Sequence, residues 1–337
     1  MTRNTPAAAP ASSRKHNFIA ILMSLGAVGL LYLNFEPAPA GAEPNEISID
    51  ISQLGASSPT LVTAMLPVPA IAGGESSEDA SADSSQSPEE IARERAQSRM
   101  ALLMNILLLE KGHRKLSAVS SYTSTFFKQE QVGGAMGGGQ VMNVKIRHEP
   151  FSVYMKWLVG DKGRELLYVD GQNDGNMLVK VGGIKGRLLP CVKLDPNGAI
   201  AMREARHPVT DIGLLNLSRK IIRYRQHEAD NGYADIRCQM LDGEEIDGRP
   251  CYCFILNYQN PETSETYRKS VQYVDKELLL PICIKNYGWP ADDSETDLVK
   301  LDEATIVEHY GYSNIQMDTQ LADADFDRKN RSYRFRR

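Results

Sequence analysis

Histidines, cysteines and one glycine-rich turn are the residues whose types could do chemistry in this chain of 337 residues. His113, His148, His207, His227 and His309 are scattered, and no pair has the i, i+4 spacing of a helical metal site. Ser and Asp are plentiful, but no G-x-S-x-G elbow presents a serine nucleophile. GGAMGGG (Gly133–Gly139) lies between strand-like segments and lacks a following Lys-Ser/Thr, so it suits a flexible hairpin loop better than a phosphate cradle. The pattern names no catalytic residue, no metal ligand and no cofactor. The expectation is a protein that is not an enzyme.

All five cysteines, Cys191, Cys238, Cys251, Cys253 and Cys283, fall in the second half. In an exported chain an odd number leaves at least one thiol free or paired between molecules. Cys251-Tyr252-Cys253 is not a C-x-x-C redox motif. On a strand Cys251 and Cys253 share a face, and Cys238 lies on the expected partner strand. A disulfide from Cys238 to Cys251 or Cys253 therefore competes with small buried free thiols, and a Cys191–Cys283 pair is equally open.

The other candidate chemistry is burial. On FSVYMKWL (Phe151–Leu158), Phe151, Val153, Met155 and Trp157 point one way and Ser152, Tyr154 and Lys156 the other. Val144, Ile146 and Phe127 on preceding strands can join that face. The seven residues make an apolar groove whose Met and Trp would suit a flexible acyl chain. The competing reading is a dry core filled by helix side chains.

Strands must position this face. YTSTFFKQEQ (Tyr122–Gln131), VMNVKIRH (Val141–His148), Phe151–Leu158 and RELLYVDG (Arg164–Gly171) alternate with period two and are rich in Val, Ile, Tyr, Phe and Trp. Further strands are expected at Met177–Val181 and within Gly186–Gly198, Ile236–Gly248, Arg249–Gln259, Tyr267–Trp289 and Thr305–Asp318, with an Asp247-Gly248 hairpin. A helix begins at Ser87-Pro88-Glu89-Glu90, an S-x-x-E box with proline in the first turn. Gly112 suits its end or a kink. A second helix is expected over Thr210–Glu228, with Thr210 as N-cap. The fold class is α+β: a curved antiparallel sheet with helices on its concave side.

Arg3, Arg14, Lys15 and His16 precede the uncharged run Phe18–Leu33, the pattern of an export signal. Ala38-Pro39-Ala40 offers cleavage before Gly41; without cleavage the run anchors the chain in a membrane and sends the rest outward. No cysteine follows it, which excludes a lipoprotein anchor. Residues 1–40 thus read as signal peptide or anchor, 41–87 as a disordered low-complexity tether, 88–322 as the folded domain and 323–337 as a basic disordered tail. ISIDISQL (Ile47–Leu54) and TLVTAML (Thr60–Leu66) are the apolar stretches of the tether. A net charge of −5 gives no reason to expect nucleic acid.

The helix followed by YTSTFFKQEQ, VKIRHEPFSVYMKW and GRELLYVDGQNDG, with VQYVDKELLLPICIKNYG (Val271–Gly288) and HYGYSNIQMDTQLADADFD (His309–Asp327), resembles the LolA/LolB-like superfamily of lipoprotein carriers and RseB-type envelope sensors. More closely, the KIRHEPFSVY and GQNDG blocks resemble an exported branch of that group, a domain of unknown function. The likeness spans roughly Glu89–Asp327. It implies a half-open β barrel, LolA-like, with an apolar concave face lidded by helices. It also implies an extracytoplasmic, periplasmic or envelope setting, and a role in carrying or sensing a lipid chain or lipidated peptide. The alternative is a membrane-tethered sensor that binds an envelope protein partner, with the groove filled as core. The long cysteine-bearing middle, Pro190–Cys253, departs from the dedicated carriers, so cargo identity is not transferred.

Overall fold

The computed structural model describes residues 87–335, apart from residues 185, 187, 232–234, 293 and 294. The expected signal or anchor at 1–40, the tether up to residue 86, and its ISIDISQL and TLVTAML segments lie outside the described residues.

Helix α1 (Pro88–Ser117) starts as its sequence dictates. The Ser87 hydroxyl accepts from the Glu90 amide at 3.2 Å, and the Glu90 carboxylate accepts from the Ser87 amide at 2.8 Å. Gly112 does not end the helix. A Cβ there would sit 2.0 Å from the Leu279 carbonyl oxygen, so glycine lets the helix touch the loop that carries Leu278 and Leu279.

Strands β1 (Ser121–Val132), β2 (Ala135–Met136), β3 (Gln140–Arg147), β4 (Ser152–Val159), β5 (Glu165–Val169), β6 (Met177–Lys180) and β7 (Val192–Leu194) come next. Two helices follow, the short α2 (Ala199–Met202) and α3 (Leu214–Asn231). Strands β8 (Ile236–Ile246), β9 (Arg249–Tyr258), β10 (Lys269–Asp275) and β11 (Pro281–Tyr287), helix α4 (Leu298–Thr305) and strand β12 (Ile306–Met317) complete the domain. All strands join one curved, unclosed antiparallel sheet in the order β7-β6-β5-β4-β3-β1-β12-β11-β10-β9-β8, with β2 on β1. The first strand meets the last at the centre of the sheet, Phe126 opposite Tyr312. Asp247 and Gly248 both hold positive φ, 52° and 72°, which turns β8 into β9 tightly.

Helices α1 and α3 pack side by side on the concave face. Leu116 and Leu214 sit over the β1–β6 half; Leu102, Leu109, Ile221 and Ile222 sit over the β8–β11 half. The second helix starts four residues later than Thr210. Thr210 instead belongs to a 3-10 turn, Val209–Asp211, because Gly213 takes φ +102° and redirects the chain just before α3. Helices α2 and α4 have no counterpart in the sequence reading, and only Val192–Leu194 of the 186–198 segment becomes a strand.

The carboxyl end is not a solvated tail. Tyr333 and Phe335 are 7% and 1% exposed, packed with Phe326, Tyr154, Leu167, Val169 and Leu178 on the outer face. Tyr333 stacks on Tyr154 at 3.8 Å between centroids, and Lys145 bonds Asp325 at 2.6 Å. The aromatic residues interleaved with the cations cover a sheet face that would otherwise be wet.

Candidate functional site

Five of the seven groove residues come together. Val144 pairs with Met155 and Ile146 with Val153 across β3–β4, and with Trp157 they are buried in the concave core under Leu116 and Leu214. Phe151 is half-buried at its edge. Phe127 is a correction. It lies on the opposite face, 4.8 Å from the His309 ring, and Phe126 takes the inward place. The β1–β3 register puts Tyr122, Ser124 and Phe126 on the inward side with Ile146, Val144 and Met142, which leaves Phe127 one residue out of phase. The groove is therefore largely a filled core, closed by α1, α3 and the half-buried Val209, Ile212, Leu215 and Leu217.

One end stays open. A cleft of about 340 Å³ lies between the β3–β5 end of the sheet and the start of α3. Ile146, Phe151 and Tyr168 supply its sheet wall, and Ile212, Gly213 and Leu215 its roof. His148, Asp170, Thr210, Asn216 and Arg219 give it a polar rim. Its volume is at the lower end of the roughly 300–1,000 Å³ usual for ligand pockets.

The roof is held by two tyrosines. The first amides of a helix have no partner within it. Here the Leu214 amide donates to the Tyr122 hydroxyl at 2.7 Å, and the Gly213 amide to the Tyr312 hydroxyl at 3.2 Å. Gly213 fits because a Cβ would meet Ile146 Cδ1 at 3.0 Å and the Tyr122 hydroxyl at 3.1 Å. Burial pushes the Tyr122 hydroxyl far above its ordinary pKa, so it stays a neutral partner.

On the rim, His148 Nδ1 lies 2.7 Å from the Val119 carbonyl, which requires the proton on Nδ1 and leaves Nε2 as a bare acceptor. That Nε2 is buried with no protein hydrogen-bond partner. Burial lowers the imidazole pKa and keeps it neutral. Arg219 Nη1 donates to Asn216 Oδ1 at 2.9 Å, and Asn216 in turn bonds the Thr210 carbonyl at 2.9 Å. The cleft thus offers an apolar wall with the Arg219 guanidinium and the Asp170 side chain at its rim. It can hold an apolar group whose polar end stays at the rim.

At the far end of the roof, the segment before α3 is tied down by a buried carboxylate. Glu308 accepts from Arg206 Nε at 3.1 Å, Tyr267 at 2.8 Å and Asn286 at 2.7 Å, and lies 3.3 Å from His207 Nε2. Burial by itself would raise the Glu308 carboxyl. His207 and the hydrogen bonds of Asn286 and Tyr267 outweigh it and hold the pKa at about 2. Glu130 joins the cluster through the Tyr310 hydroxyl at 2.5 Å and Lys128 at 3.0 Å. Nothing in the spacing of these residues signals that they meet: Asn286 and Tyr267 lie 22 and 41 residues from Glu308, Arg206 and His207 about a hundred, and no local pattern links them.

All five cysteines are free thiols. Cys238 is opposite Leu256, and it packs with the helix-facing cluster, whereas Cys251, Cys253 and Cys283 pack on the outer face. Of the two alternatives, the Cys238 disulfide to Cys251 or Cys253 is thereby blocked by the sheet itself, and Cys191 lies in a different cluster from Cys283. Burial pushes Cys238, Cys251 and Cys253 up to about 12, so they remain thiols. Among the described residues no group of three or more His, Cys, Asp or Glu side chains is placed to hold a metal.

The family profile described as "Protein of unknown function (DUF1571)" matches residues 119–335, from the last turn before β1 to the packed carboxyl end. The chain belongs to the DUF1571 family. No curated protein matches this DUF1571 chain. Solved structures similar to it include the MucA/MucB complex of Pseudomonas aeruginosa, at 11% identity and a TM-score of 0.37, covering 67% of this chain and 60% of that one. The lipoprotein LppX of Mycobacterium tuberculosis matches at 12% identity and a TM-score of 0.34, covering 72% and 100%. A LolA superfamily protein of Nitrosomonas europaea matches at 14% identity and a TM-score of 0.30, covering 65% and 96%.

Proposed function

We propose that this DUF1571 protein is an extracytoplasmic, non-enzymatic binding protein that holds the apolar chain of a lipid or lipidated peptide in the cleft beneath the start of α3. The observation that carries the reading is the cleft's make-up: an apolar wall of Ile146, Phe151 and Tyr168 under a rim bearing Arg219 and His148. The basic start followed by the Phe18–Leu33 run supports export. Binding would be hydrophobic burial, about 25 cal/mol for each Å² removed from water before ordering costs. At about 340 Å³ the cleft takes the end of a chain as it stands. A longer stretch enters as the 209–215 roof lifts, sliding toward Met155 and Trp157.

Native mass spectrometry of protein from its own envelope, with displacement of a fluorescent fatty acid, tests this. A retained lipid mass, and probe displacement weakened by Ile212→Trp, are expected. A clean apo mass with no probe bound overturns the reading.

A second reading, a membrane-tethered sensor of an envelope partner, is favoured by one observation: Val144, Val153, Met155 and Trp157 are already covered by Leu116 and Leu214. Amino-terminal sequencing separates the two. Gly41 at the start supports a free carrier, and retention of Phe18–Leu33 a tethered sensor.

A further inference from the structure

Helix α1 spends one face on the sheet and exposes the other, and that outer face is not polar. Met100, Leu103 and Leu107 are 63%, 44% and 55% exposed, and their i, i+3, i+7 spacing sets them in one line. Ala96 extends the line by a turn, with Arg93 and then Glu89, at the helix start, beyond it; Lys111 and Arg114 close the other end. Alongside, α3 packs against α1, with His113 Nδ1 2.9 Å from the Ser218 hydroxyl and Gln226 bonded to Glu110 at 3.0 Å. It adds exposed Arg219, Arg223 and Tyr224 to the same helical layer. Glu110, an acid within this face, is engaged by Gln226 and by Arg114 at 3.9 Å. The result is an apolar stripe framed by cations on a chain whose net charge is −5.

We infer that this outer face of α1, with Arg219 and Arg223 beside it, is a docking surface for an anionic lipid bilayer. An apolar line rimmed by Lys and Arg is what lies in the headgroup region of a bilayer, where acyl boundary meets anionic headgroups. The chain's own upstream segments fit less well. TLVTAML carries no acid, and ISIDISQL carries Asp50 with Glu43 and Glu46 just before it, fewer acids than the five cations Arg93, Lys111, Arg114, Arg219 and Arg223 of this face. Three apolar side chains make a shallow, reversible contact, so the attraction depends on anionic headgroups and weakens with salt. Arg219 also stands on the rim of the cleft, which puts the cleft mouth beside the docking surface. The inference stands whether or not the cleft holds a lipid.

Phe18–Leu33 would itself partition into vesicles, so a position-specific reading is needed. In the full chain carrying Cys191→Ser, an environment-sensitive fluorophore on Leu107→Cys reports the stripe, and one on the exposed Asn143→Cys of the outer sheet face is the control. With vesicles of phosphatidylglycerol and phosphatidylcholine, the label at 107 is expected to shift to the blue, brighten several-fold and be quenched by doxyl lipids. The label at 143 should not respond. The signal should fall in about 0.5 M salt and in Arg93→Gln/Lys111→Gln/Arg114→Gln. A label at 107 that stays as in water overturns the inference. So does one that responds equally to pure phosphatidylcholine. So does one that is already blue-shifted without vesicles, which would assign the stripe to the chain's own segment or a second copy.

Discussion

The Tyr122 hydroxyl accepts a hydrogen bond from the amide of Leu214 at 2.7 Å, so a strand near the start of the domain caps a helix ninety-two residues later. This bond fixes the roof of the cleft to the central strand of the sheet. Removing the acceptor leaves a buried amide unpaired, at a cost of about 1–3 kcal/mol. Tyr122→Phe should lower stability by that amount and speed hydrogen exchange at Leu214. Unchanged exchange there would show that the bond does not hold the roof.

Gly213 is where the roof must use glycine. Its φ of +102° strains any residue with a Cβ, and a methyl group there would press on Ile146 Cδ1 at 3.0 Å. Gly213→Ala should cost about 1–3 kcal/mol and shift fatty-acid binding together with stability, read by chemical denaturation and probe displacement.

Gly112 makes a closer contact still. A Cβ 2.0 Å from the Leu279 carbonyl oxygen would force α1 off the β10–β11 loop. Gly112→Ala should destabilise the domain by more than about 3 kcal/mol, read as a fall in the denaturant midpoint, although alanine is the better helix former.

Acid should loosen the domain before its carboxylates titrate. Burial, with help from Lys285, lowers His309 to about 3, against about 6.5 in the unfolded chain. The unfolded state therefore binds the extra proton first. The stabilisation is full above about pH 6.5 and is lost as pH falls toward 3. Between pH 7 and 4.5 this amounts to up to about 3 kcal/mol. His309→Gln should flatten the pH dependence over that window. Glu308, held at about 2, gives a stabilisation that is full above its unfolded value near 4.5 and is lost as pH falls toward 2.

The packed carboxyl end predicts a cost for trimming it. Tyr333 stacks on Tyr154, and its hydroxyl donates to the Asp325 carbonyl at 2.7 Å. Tyr333→Ala should destabilise by about 3 kcal/mol, measured by thermal or chemical unfolding.

Much of the fold was legible because it is written in local patterns. The Ser87 capping box, the period-two strands and the Asp247-Gly248 turn each act over a few residues, and each formed where the spacing placed it. What was not legible depends on which strands become neighbours. Phe127 carries the same apolar signal as Phe126, and only the β1–β3 register decides which turns inward. The sequence leaves a Cys238–Cys251 pair open because alternation gives relative facing within a strand, not between strands. The tail reads as solvated because its arginines dominate the composition, while Tyr333 and Phe335 do the packing. The cleft itself arises from a loop conformation at Gly213 that no periodicity encodes.

The central claim is that an apolar chain lodges beneath the start of α3. Photo-crosslinking the full-length protein with a diazirine fatty acid, followed by peptide mapping, tests it most directly. The account predicts adducts on Phe151, Tyr168, Ile212 or Leu215, competed away by unlabelled fatty acid. Adducts scattered over the exposed surface, or none that competitor removes, would contradict it.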